Sequence, residues 1–79
     1  MGTVQPPEAI REELQLVEED LTRLREAVAD LRTRLREGWN EPTDAEERTA
    51  MTEALEEQEA LIGELEARRE VLRQRLGER

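Results

Sequence analysis

The side chains with most chemical potential in this chain are carboxylates, 21 of them in 79 residues. Some fall at helical spacing, Glu53 with Glu57 and Glu56 with Glu59. Carboxylates one helical turn apart can share a divalent cation. A di-metal bundle site would also use inward-facing Glu-x-x-His motifs. The sequence contains no His and no Cys, so imidazole and thiolate ligands are excluded. General acid–base chemistry needs a carboxyl whose pKa is shifted by a pocket. These glutamates fall mostly off the apolar stripes described below, on faces that meet water. The expectation is a non-enzymatic chain with no catalytic residue, no metal site and no cofactor. A carboxylate metal-binding bundle is the most distant alternative.

Two further groups of residues stand out. Gln58 and Arg69 interrupt an otherwise apolar stripe. They could line a polar pocket or hold an anion, but a polar seam residue more commonly fixes register, and a seam Arg can snorkel outward. Trp39, the sole aromatic residue, lies among Glu41, Asp44, Glu46 and Glu47. Trp is enriched at binding hot spots, so this cluster is a candidate partner-binding tip. The competing reading makes Trp39 a cap over the end of the seam.

The elements that must position these residues are legible from periodicity. Ile10, Leu14, Val17, Leu21, Leu24, Val28, Leu31 and Leu35 follow each other at alternating steps of 4 and 3. Met51, Leu55, Gln58, Ile62, Leu65, Arg69, Leu72 and Leu76 repeat those steps. This is the heptad spacing of a coiled-coil seam. When the chain folds back near residue 43, Leu35 faces Met51, Val28 faces Gln58 and Ile10 faces Leu76, and every facing pair of numbers sums to 86. The expected fold is therefore all-α, an antiparallel helical hairpin. Residues 1–6 form a lead, and 7–77 form one domain, with helix 1 at about 7–37, a turn at 38–43 and helix 2 at about 44–76.

Punctuation agrees with those bounds. Pro7 suits a first helical position, and Gly38 followed by Pro42 stops a helix. Thr43-Asp44-Ala45-Glu46 reads as a capping box with Thr43 as N-cap, and Gly77 reads as a terminal C′ glycine. Charge agrees as well. Residues 8–21 carry six acids and one Arg, residues 22–37 five Arg and three acids, residues 44–60 seven acids and one Arg, and residues 61–79 five Arg and four acids. Antiparallel folding sets acidic beside basic at both ends.

The two flanks of the seam differ. On one, level-by-level matching expects Glu13 opposite Arg75 and Asp20 opposite Arg68, with the uncharged Ala27, Ala54 and Leu61 between. On the other it expects Arg25 opposite Glu59, Glu18 against Glu66 and Arg11 against Arg73. Ala54 and Leu61 widen the second stripe beyond what one hairpin needs. A second hairpin would cover that width, so Ala27, Ala54 and Leu61 are the expected dimer interface of a homodimeric four-helix bundle. Gly63, off the seam, is a candidate for close approach by another helix.

Composition narrows the partners. A net charge of -9 disfavours phosphate backbones and anionic membranes. No apolar run nears the ~20 residues that span a bilayer. The stretch Met1-Gly2-Thr3-Val4-Gln5-Pro6-Pro7 lacks the basic and apolar regions of a signal peptide, and Pro6 breaks the myristoylation pattern. All 12 basic residues are Arg, which suggests a GC-rich bacterial genome. The expected setting is cytoplasmic.

A helical hairpin with an acidic tip resembles the N-terminal arm of the Gre-type transcript-cleavage factors. Asp44-Ala45-Glu46-Glu47 is similar to the Asn-Ala-Glu-Tyr of their tip, although the rest of that motif is absent. The resemblance implies a regulator docking its tip on RNA polymerase or a sigma factor. The turn Trp39-Asn40-Glu41 also resembles that of the small secreted Trp-X-Gly hairpins, without their glycine. The leading functional expectation is a protein–protein interaction module, a small adaptor or regulator that binds itself and an unknown protein partner through its helical faces or its tip. Gre-like docking is the alternative.

Overall fold

The structure, a computed structural model, describes residues 6–37 and 44–77. They form two α-helices, α1 (Pro7–Glu37) and α2 (Ala45–Gly77), packed along their length as a helical hairpin. α1 begins on the carbonyl of Pro6, which accepts from the amides of Ala9 and Ile10 at 3.0 and 3.2 Å. Pro7 thus occupies the first turn, where its missing N–H has no helical partner to lose.

The sequence reading starts α2 at Thr43 or Asp44, with Thr43 as N-cap. Thr43 lies outside the described residues, and Asp44 caps the helix. Its Oδ1 accepts from the Glu46 amide at 3.2 Å, and its carbonyl accepts from the Arg48 amide at 3.1 Å. A carboxylate is an effective N-cap because it accepts an orphan amide and faces the positive end of the helix dipole. The other end differs from the sequence reading. Gly77 is the last residue of α2, and no described glycine has a positive φ. Gly77 therefore continues the helix instead of stopping it in a left-handed turn. Gly38 lies outside the described residues.

The core is one seam. Ile10, Val17, Leu21 and Leu72 are buried together, with Leu14, Ile62, Leu65 and Leu76 packed against them. Leu21 and Leu72 are enclosed, at 1% and 0% exposure. Val28 is buried further along. Towards the turn, Leu31, Leu35, Met51 and Leu55 are only half-buried. The helices share the burden unequally: α1 supplies Ile10, Val17, Leu21 and Val28 to the buried set, and α2 supplies Leu72 alone. Gln58 and Arg69 take seam positions on α2 that apolar residues would otherwise fill.

Ion pairs between the helices report the register. Glu18–Arg73, Arg25–Glu66 and Arg32–Glu59, at 3.2, 3.1 and 3.2 Å, each sum to 91. Arg68–Glu13 on the opposite flank, at 2.8 Å, sums to 81. The seam between the flanks is centred midway, on 86.

Candidate interaction surface

Heptad positions locate every residue on this hairpin. With Ile10 and Met51 at d, position e faces e across one flank of the seam, and g faces g across the other. Position b lies behind e, and position c lies behind g. The hairpin thus has an e/b face and a g/c face.

The e/b face is bound by charge. Its three interhelical pairs, Glu18–Arg73, Arg25–Glu66 and Arg32–Glu59, form a ladder along the rod. They replace the pairings expected from levels alone, which set Glu18 against Glu66, Arg11 against Arg73 and Arg25 opposite Glu59. The reason is side-chain direction. Helical side chains lean towards their own N-terminus. In antiparallel helices, two residues that each lie a few positions C-terminal of a shared level lean into one another. Glu66 leans away from Glu18 towards Arg25, and Arg73 leans towards Glu18. An expected repulsion becomes two attractions. All six side chains are about half exposed, so each pair contributes only ~0.2–1 kcal/mol, mostly to orientation.

On the g/c face the expected Glu13–Arg75 and Asp20–Arg68 pairs are also replaced. Asp20 is held by Arg23, one turn along its own helix. The long side chain of Arg68 reaches back to Glu13 instead. Arg75 has no ion-pair partner among the described residues. The second oxygen of Glu13, Oε2, is enclosed without a hydrogen bond.

This face also carries the apolar surplus. Ala27 and Ala54 are half-buried at g positions. Leu61, also at g, is 43% exposed. Leu16 and Val71, both at c, are 61% and 40% exposed. These three are the exposed large hydrophobic side chains among the described residues, and all fall on one face. The e/b face has none. An open groove of about 380 Å³, with an apolar floor, runs between Asp20, Arg23, Leu24, Ala27 and Leu61. Sequence reasoning found Ala27, Ala54 and Leu61 by looking beside the seam. It missed Leu16 and Val71 because position c is one step further round, although the same heptad lettering places them.

The remaining candidates sit elsewhere. Asp44, Glu46 and Glu47 are exposed at the first turn of α2, with the Asp44 side chain engaged as the cap. Trp39 and Glu41 lie outside the described residues. Arg69 is half-buried in the seam and makes no ion pair among the described residues. Gln58 is half-buried, and its Oε1 is enclosed without a hydrogen-bond partner. Gly63 is exposed on α2, with open space where a Cβ would stand, so no element of this chain approaches it closely. A second open groove, about 670 Å³, lies towards the turn between Leu35, Arg48, Thr49, Thr52, Glu53 and Glu56. Among the described residues no group of three or more acidic side chains is placed to hold a metal ion. Likewise, no described helix is long and apolar enough to cross a membrane. The chain is thus an all-α helical hairpin with ion pairs on both faces and its exposed large apolar side chains on the g/c face. No family model, curated protein or solved structure matches it.

Proposed function

We propose that the chain is a protein–protein interaction module, a small adaptor or regulator. It works as a homodimeric four-helix bundle that offers its outer helical faces to a further protein. The supporting observation is the collection of Leu16, Leu61 and Val71 on the g/c face, beside Ala27 and Ala54, with no comparable side chain on the e/b face. Large apolar side chains scattered singly over a surface need no explanation. Exposed large apolar side chains confined to one face, between ion pairs such as Glu13–Arg68 and Asp20–Arg23, support reading that face as a contact surface.

The area suits a second hairpin. A 31-residue helix is about 46 Å long at ~1.5 Å per residue. With the 20 Å width of the rod, one face offers about 900 Å², close to the ~800 Å² per partner of a standard stable interface.

Sedimentation equilibrium tests the reading. The wild-type chain should be a dimer at micromolar concentration. Leu61→Glu should give monomers, since it sets an unpaired carboxylate into the apolar face. Thr22→Glu, on the exposed e/b side, should leave the dimer intact. A wild-type chain that stays monomeric at high concentration would overturn the proposal.

A further inference from the structure

We infer that the two hairpins of the dimer lie parallel, with a two-fold axis along the rod and both turns at the same end. This rests on the self-association proposed above and deepens it by naming the geometry.

Face-to-face packing of two hairpins by a two-fold axis in the interface plane has two solutions. If the axis runs along the rod, α1 lies over α2 of the second copy, and each residue meets its level-mate. If the axis runs across the rod, α1 lies antiparallel to α1 of the second copy, and the turns point in opposite directions.

The g/c face distinguishes them by what each sets opposite what. With a register sum of 86, Leu16 and Val71 (sum 87) share a level, as do Ala27 and Leu61 (sum 88). The parallel arrangement therefore sets Leu16 on Val71 and Leu61 on Ala27, twice over by symmetry. Charges agree: Arg23 meets Glu64 (sum 87), and Arg75 meets Glu13 (sum 88). Neither Glu64 nor Arg75 has an ion-pair partner among the described residues of its own chain, and this arrangement sets each at the level of an opposite charge, Arg23 and Glu13, which Asp20 and Arg68 also engage. The like-charged contact it creates, Asp30 near Glu57, is softened because Arg34 already holds Asp30 at 3.1 Å.

The crossed arrangement fares worse. Centred so that Leu61 meets its own copy at level 25, it sets Glu57 against Glu64 and Ala54 against Arg68. Centred between levels 23 and 24, it sets Leu16 near Asp30 and Arg23 near its own copy. Like charges and apolar-on-charge contacts penalise a wrong partner orientation, so complementarity here selects between the two axes. One consequence is that both copies of Asp44, Glu46 and Glu47 stand at one end of the bundle, giving a binding partner two equivalent acidic helix starts.

The chain has no Cys, so Glu8→Cys creates a unique site for a spin label near the free ends of the helices. Pulsed electron–electron distance measurement on the singly labelled dimer reads the geometry. The parallel arrangement predicts a separation of about 20–30 Å, the breadth of a bundle whose helices pack ~8–10 Å apart. The crossed arrangement predicts about 50 Å, because the labels then stand some 31 residues apart along the rod at ~1.5 Å each. A dimer by sedimentation with the longer distance would overturn the parallel geometry and leave the interaction module standing. A monomer with no dipolar coupling would overturn both.

Discussion

Replacing Gln58 by Leu should stabilise the protein, although it removes the only amide from the seam. Gln58 occupies a d position opposite Val28, and its Oε1 is enclosed with no donor in reach. An enclosed acceptor without a partner carries a desolvation penalty of ~1–3 kcal/mol. Leu has nearly the same volume, equal or better helix propensity and no polar atom to desolvate. The side chain is only half-buried, so part of the gain is lost to residual exposure, which leaves about 1–2 kcal/mol. In a domain of this size each kcal/mol moves Tm by ~4–8 °C, so Gln58→Leu should raise Tm by about 5–15 °C. Helical circular dichroism followed through a thermal scan measures this, at one fixed chain concentration because association shifts Tm by mass action. A Tm that falls would refute the reasoning, because it would mean that Gln58 has a hydrogen-bonding partner in the assembled protein. The same substitution should reduce specificity. A polar seam residue disfavours slipped registers, and an all-apolar seam tolerates them.

Other substitutions probe separate parts of the structure. Leu72→Ala, at the most enclosed position on α2, should lose about 2–5 kcal/mol in urea denaturation, enough to leave a two-helix rod largely unfolded. Gly63→Ala should gain up to ~1 kcal/mol, since the site is exposed with room for a Cβ, and a loss of stability would instead reveal a neighbouring chain packed on that glycine. Asp44→Ala should lose ~0.5–2 kcal/mol by removing the acceptor of the Glu46 amide, and Asp44→Asn should largely preserve stability.

The sequence by itself determined the hairpin and its register. Two stripes of eight residues with the same 4 and 3 steps pair over their whole length at a sum of 86: a slip of one position rotates an apolar residue about 100° out of the seam, and a slip of a whole heptad leaves the end layers unpaired. The sum of 86 therefore follows from spacing alone, and the interhelical ion pairs fall symmetrically about it. Tertiary structure decided what depends on direction and reach. Which glutamate met which arginine was not set by level, because side chains lean towards their own N-termini and an Arg can span more than one turn. Glu18 was thus expected against Glu66 and instead joins Arg73. Capping was decided the same way: the backbone path at the start of α2 brings Asp44 Oδ1 to the Glu46 amide. The face left uncovered was half visible. Leu61 announced itself beside the seam. Leu16 and Val71 are isolated in sequence and 55 residues apart, and folding α2 back along α1 puts them at one level on one face.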